Sequence, residues 1–281
     1  MNKIVTITSV CLALVLTACS KEQTTQPIQA DTDNTTEQSQ TLRIAAAANL
    51  SDVLPEIIAG YKMDKNLPAQ EIEVSYASSG KLYAQITSGA PYDIFLSANQ
   101  EFPAKLAKEK LDNANSADEA THQPFTYTQG QLALYSVNKS LDGLSAASLN
   151  ALLVNESDSK ITIANPELAP YGKSAQAYLQ AQNIFDTLTE QNRIIQAENI
   201  GQAFQYAHTG NVDYGFVAQS QLTAIKATPE QFYTLAPESY PAILQDGIVL
   251  NNNTAATDFS NYLRSPAGQQ YFSKAGYLAV N

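Results

Sequence analysis

The sequence predicts an α/β protein of two lobes, each a mixed, mostly parallel sheet flanked by helices. Three observations carry this. Short apolar runs of strand length alternate with helical patterns from residue 42 to the C-terminus, the rhythm of βαβ units. The strand candidates are almost continuously apolar, as strands covered on both faces are. The length of 281 residues, 44% of them hydrophobic, suits two ordinary domains with cores of their own.

Leu42–Ala47 (LRIAAA) is the first strand candidate, and Leu50, Val53, Leu54, Ile57, Ile58 and Tyr61 follow at helical spacing. Glu71–Tyr76 alternates like a strand, Gly80–Thr87 reads as helix, Ile94–Ser97 as a buried strand and Glu101–Lys108 as helix. The middle repeats the rhythm: Gln131–Val137 strand, Ala146–Leu153 helix, Ile161–Ala164 strand, then helices over Lys173–Gln182 and Gly201–Thr209. Tyr214–Val217 and Phe232–Leu235 are short strands, and Ala242–Leu250 (AILQDGIVL) is a long one interrupted at Gly247. Helices Ala255–Leu263 and Pro266–Ala275 close the chain. The lobes are expected to join near Tyr127–Gln131 and Ala236–Pro241, with lobe 1 formed by residues 41–128 and 239–281 and lobe 2 by 129–238.

The first 40 residues read as an address and a tether. Lys3 precedes an apolar stretch from Ile4 to Ala18, too short to span a bilayer of ~20 residues but suited to a signal-peptide core, residues 1–18. Leu16–Thr17–Ala18–Cys19 resembles the bacterial lipobox, which implies cleavage before Cys19 and a lipid on its thiol. Cys11 would be discarded, so the mature chain could form no internal disulfide. Residues 19–40 are rich in Thr, Gln, Asn and Asp and lack aromatics, a composition that cannot offset its ordering entropy. The expected product is an extracytoplasmic, membrane-anchored lipoprotein.

Composition excludes several classes. A net charge of −11 argues against sequence-independent nucleic-acid binding, which needs clustered Lys and Arg. Two His and two Cys cannot make a multi-His zinc site or a disulfide scaffold, and no direct metal coordination is expected. No G-x-S-x-G elbow or other nucleophile–base pair is visible, so the chain is not expected to be an enzyme. Tyr171–Gly172–Lys173–Ser174 contains GKS, but Glu167 stands where a phosphate-binding loop has its first Gly. Lys81 reads as a solvated helix side chain, Asp93 as an internal tie beside the Pro91 turn, and Asp213 and Asp246 as surface or turn residues.

Four strand-to-helix turns are small and polar. They are Ala45–Ala48 followed by Asn49, Tyr76–Lys81, Pro166–Lys173, and Ala197–Gly201. In open α/β sheets ligands sit beyond the carboxyl ends of strands, where helix N-termini offer N–H groups and about half a positive charge. Converging N-termini bind anions without Lys or Arg. Ser and Asn at such places can equally be ordinary helix caps.

The motifs make the reading specific. AAANLSDVLPEI from Ala46, YASSGKLYAQITSGAPYDIFLSAN from Tyr76, NPELAPYGKSA from Asn165 and GFVAQSQL from Gly215 occur in one order. Together, from about Thr41 to Val280, they resemble the molybdate-binding proteins of bacterial ABC importers, which have the type II periplasmic binding protein fold. The resemblance implies a protein that captures molybdate, and tungstate with it, between two lobes and delivers it to a membrane permease. It implies a monomer with no cofactor. Its oxyanion contacts fall on Asn49, through side chain and backbone N–H; Ser79, through hydroxyl and N–H; Tyr171, through N–H and phenol; and Ile200, through N–H. Ser78, Asn199 and Ala218 are further lining candidates. Some family members carry a binding Tyr where Ala218 stands, so the resemblance implies that the phenol has moved across the pocket to Tyr171. Another oxyanion such as sulfate or phosphate, or a surface lipoprotein reusing the fold, are the alternatives.

Overall fold

The computed structural model describes residues 41–113, 122–251 and 253–280. The expected signal peptide, Cys19 and the expected tether lie outside the described residues.

Strand β1 (Leu42–Ala47) is buried at all but one position, and its alanines let neighbouring backbone approach closely. It leads through a 3-10 turn, Ala48–Leu50, into α1 (Leu54–Asp64), whose Pro55 sits in the first turn, where its missing N–H is harmless. β2 (Ile72–Ala77), α2 (Ser79–Thr87), β3 (Ile94–Leu96) and α3 (Glu101–Asn113) follow, then β4 (Phe125–Gly130) and β5 (Leu132–Tyr135). Next come α4 (Ala146–Asn155), β6 (Ile161–Ala164), α5 (Pro170–Ala181), α6 (Phe185–Glu190), β7 (Ile194–Ala197) and α7 (Ile200–His208). β8 (Tyr214–Ala218), α8 (Gln219–Ala224), β9 (Phe232–Thr234), β10 (Ile243–Val249), α9 (Thr254–Arg264) and α10 (Pro266–Lys274) complete the chain.

These strands form two five-stranded sheets, β2-β1-β3-β10-β4 and β7-β6-β8-β5-β9. In each, three strands are parallel and the first of them in chain order lies between the other two. The remaining two join through antiparallel pairing, so that one strand of each sheet, β10 or β5, runs against the other four. The same topology thus occurs twice without a matching sequence repeat. The chain passes between sheets twice, at Gln131 and again between β9 and β10.

Apolar clusters cover both faces of each sheet. Against the first sheet, Ile57, Tyr61, Phe259 and Phe272 pack on one side, and Leu82, Phe95 and Leu106 on the other. The main cluster of the second sheet also takes in Ala47, Ala48 and Ala98 from the first, so the halves meet through small side chains. Backbone joins them too: Gly80 N–H donates to Leu168 O at 2.9 Å.

Several expectations are corrected. β4 and β7 are strands the sequence pattern passed over, because both are half-buried and carry Thr or Gln among their apolar residues. Helices α6 and α8, of six residues each, are too short to show a helical period. β10 is not interrupted at Gly247, which pairs with both Leu96 and Phe125; the ring of Phe125 occupies the space where a side chain would be. α5 begins at Pro170 rather than Lys173, so Tyr171 lies in its first turn. Asp213 and Asp246 do have partners: Asp213 accepts from Lys160 N–H at 2.8 Å, and Asp246 from the Thr126 hydroxyl at 2.7 Å. Asp93 ties its own half together, accepting from Arg43 N–H and Asn251 Nδ2, each at 2.6 Å.

Arg193 is the largest fully buried side chain. Its guanidinium donates to Ser159 O at 2.9 Å and to Leu153 O and Ser159 Oγ at 2.7 Å, closing the C-terminal end of α4. Arg193→Met should strand these acceptors and lower stability in urea unfolding by about 3 kcal/mol, at 1–3 kcal/mol per stranded buried group.

Candidate functional site

Adjacent strands in each sheet end in register on small residues, Ala47 opposite Ala77 and Ala164 opposite Ala197. Beyond these ends lie the 3-10 turn at Asn49 and the starts of α2, α5 and α7. They line one small cavity, which in this closed arrangement has room for about 10 Å³. Asn49, Ser79, Tyr171 and Ile200 all line it, together with Ser78 and Asn199. Ala218 does not: it pairs with Leu132, and its N–H donates to Gln221 Oε1 at the start of α8. The four principal candidates are 1–3% exposed.

Helix geometry explains the donors. The first N–H groups of a helix have no partner within it. Ser79 and Ile200 are the first residues of α2 and α7, and Tyr171 is the second of α5, after a proline that has no N–H to offer. Neither Ala169 nor Ser78, the residues before α5 and α2, caps its helix with a side chain. Asn199 does cap, its Oδ1 accepting from Gln202 N–H at 3.0 Å. Of the two roles open to these turns, Asn199 takes the cap and Ser78 does not. Ser78 Oγ is buried with no protein partner.

Two hydroxyls are poised by the protein. Ser79 Oγ accepts from Ala98 N–H at 2.9 Å, and Tyr171 Oη accepts from Gln245 Nε2 at 3.2 Å. A hydroxyl whose lone pair is occupied in this way keeps its own proton for another acceptor. Burial pushes the Tyr171 phenol well above the usual tyrosine range, so it remains a donor. Tyr127, equally buried below the cavity, is shifted the same way for the same reason.

Asn49 departs from expectation. Its Nδ2 donates to Gln245 Oε1 at 3.0 Å and to Tyr277 Oη at 3.1 Å, so both amide protons are engaged and its Oδ1 has no partner. Tyr277 Oη also donates to Asn49 O at 2.7 Å. The residue therefore offers its backbone N–H to the cavity while its side chain is held from behind. Tyr277 lies near the C-terminus, where no local pattern could pair it with Asn49. Gln245, Tyr127 and Tyr277 were missed by sequence reasoning. The only available signal was the polar Gln245–Asp246 pair inside an otherwise apolar strand.

No ionisable carboxylate, Lys, Arg or His is among the residues lining the cavity. Charges stand at its mouth as opposed pairs bridging the halves, Lys81 with Glu198 at 2.8 Å and Lys173 with Glu101 at 3.5 Å. Lys81 is thus paired rather than merely solvated. Exposed pairs of this kind contribute at most ~1 kcal/mol. Gly172 of the GKS sequence serves packing, since any side chain there would collide with Ala164 O.

A family model for bacterial extracellular solute-binding proteins matches residues 42–278. The chain belongs to that family. This solute-binding protein is 31% identical over 261 residues to the molybdate-binding protein ModA of Rhodobacter capsulatus, covering 85% of this chain and 97% of the relative. It is 29% identical to a putative ABC transporter substrate-binding lipoprotein, YvgL, of Bacillus subtilis, over 95% of this chain and 94% of that one. Among solved structures, the periplasmic molybdate-binding protein of Azotobacter vinelandii aligns with TM-score 0.75 and 28% identity, covering 85% of this chain and all of that one. The fold is that of the type II periplasmic binding proteins, as the resemblance implied.

Gly130, at the passage between the sheets, faces Tyr171 Oη so closely that a Cβ there would collide with it. Gly130→Ala should displace the phenol from Gln245, destabilise the protein by about 1–3 kcal/mol as overpacking does, and alter the near-ultraviolet tyrosine spectrum.

Proposed function

We propose that this protein captures a fully deprotonated tetrahedral oxyanion, molybdate or tungstate, in the cavity between its two sheets and hands it to an ABC permease. The observation that carries this reading is the donor set: backbone N–H groups at converging helix starts, with the hydroxyls of Ser79 and Tyr171 each held with the proton free. Relatives named for molybdate binding, at about this identity over most of the chain, support the choice of ion.

The chemistry follows from proton counting. Molybdate and tungstate at neutral pH have only acceptor oxygens. Hydrogen phosphate keeps a proton, which such a ring would leave unpaired, at a cost of ~1–3 kcal/mol. Sulfate has the right charge but is smaller, so a rigid ring built for molybdate meets it at stretched distances. Tungstate is close to molybdate in size and should be held equally. Cargo enters with the halves apart, because donors from both sheets reach one ion only when the cleft is closed. The lipobox at Cys19 would keep the protein at the membrane beside its permease, an arrangement in keeping with the lipoprotein named in Bacillus subtilis.

Calorimetry with molybdate, tungstate, sulfate and phosphate tests the reading. Molybdate and tungstate should bind far more tightly than the other two; preference for sulfate or phosphate would overturn the assignment. Ser79→Ala should weaken molybdate by ~1–3 kcal/mol. The pH dependence follows from Tyr171. Its phenol donates only while protonated, and its raised value places the loss of that proton well above the usual tyrosine range. Affinity should therefore stay level from pH 7 to about 10, where an ordinary tyrosine would already be half ionised; a fall centred below 10 would contradict it.

A further inference from the structure

Gln245 is wholly buried on the strand that returns the chain to the first sheet. The ladder is irregular beside it: Gln245 pairs with Thr128 and Asp246 with Thr126, leaving Tyr127 as an extra residue in β4. Bulges of this kind re-aim side chains. Here Tyr127 Oη reaches Ser97 O at 2.8 Å and lies 3.1 Å from Gln245 Oε1.

The Gln245 amide has unlike ends and uses both. Oε1 accepts from Asn49, on the first sheet's side of the cavity, and Nε2 donates to Tyr171, on the second sheet's side. No acceptor for the Tyr171 proton is found among the described residues. We infer that Gln245 is a positioning residue for anion binding: by occupying the lone pair of Tyr171 it turns the phenolic O–H toward the bound oxyanion. This rests on the oxyanion reading above. It also gives the cavity a selectivity element, because a phenol held this way turns its proton, and not its engaged lone pair, to the ion. The same oxygen, freed from Gln245, could accept a hydrogen bond from the P–OH of hydrogen phosphate.

A double-mutant cycle tests it, using calorimetry on the wild type, Gln245→Met, Tyr171→Phe and the double variant, each first shown to melt cooperatively. Each single change should weaken molybdate about 10-fold, equivalent to ~1.4 kcal/mol or one neutral hydrogen bond, and the pair no more than either alone. Gln245→Met should also lower the molybdate-to-phosphate ratio, which a purely structural role would leave unchanged. Should Gln245→Met not fold, Gln245→Glu replaces it: the carboxylate still accepts from Asn49 but draws the phenolic proton away from the cavity, and the ratio should fall likewise. Additive losses, or equal weakening of both anions, overturn the inference. So does unchanged affinity in Tyr171→Phe, which would mean that the Asn49 and Gln245 amides are both turned by half and the phenol donates to Gln245. A wild type that binds none of the four anions sinks the oxyanion reading as well. A wild type that binds them, with additive variants, sinks this inference alone.

Discussion

Peptide N–H groups left without partners at helix starts, and enclosed where water is scarce, are the constraint around which the two sheets are arranged. Each such group is costly unless something accepts from it. The fold concentrates them by ending paired strands at the same level and starting a helix or turn from each. Small residues make this possible: Ala47, Ala77, Ala164 and Ala197 at the strand ends let the turns approach one another. Because both sheets have the same topology, one facing the other doubles the donor set without any charged side chain.

That economy of charge resolves an apparent conflict between an acidic chain and the anionic cargo proposed for it. With a net charge of −11, the surface as a whole repels anions. At physiological salt the Debye length is ~8 Å, so surface carboxylates are screened from a closed cleft while N–H dipoles act in contact. The charged contacts Lys81–Glu198 and Lys173–Glu101 bridge the halves outside the cavity lining, with Lys105 also on Glu101. They add little energy.

The layer beneath the donors is a chain of neutral hydrogen bonds linking Tyr277, Asn49, Gln245 and Tyr171. It joins the C-terminal region, the first helix turn, the returning strand and the second half of the molecule. Neutral groups suit this place, since an ionised one would add a field of its own to the site. Of four buried side-chain oxygens without a partner among the described residues, Ser78 Oγ and Asn49 Oδ1 belong to residues that line the cavity, and Thr162 Oγ1 and Ser260 Oγ do not.

Much of this was legible in the sequence. The strands β1, β3, β6 and β8 were readable because two-sided burial demands continuous apolar residues. The turns carrying Asn49, Ser79, Tyr171 and Ile200 announced themselves as small, polar breaks between apolar runs, and motif resemblance named them as one site. These turns also carry Lys81, Glu167, Lys173 and Glu198, and only the fold keeps those charges out of the cavity lining. Tertiary structure alone decided what each polar group does. Ser78 and Asn199 occupy equivalent places before helices, yet one hydroxyl is left without a partner while the other side chain caps. Asn49 proved to be held through its amide by residues 196 and 228 positions away. Hydrogen bonding is directional and short-ranged, whereas residue spacing records only which face of an element a side chain occupies. The identity of a partner from a distant strand is therefore absent from local pattern and appears only when the chain has folded.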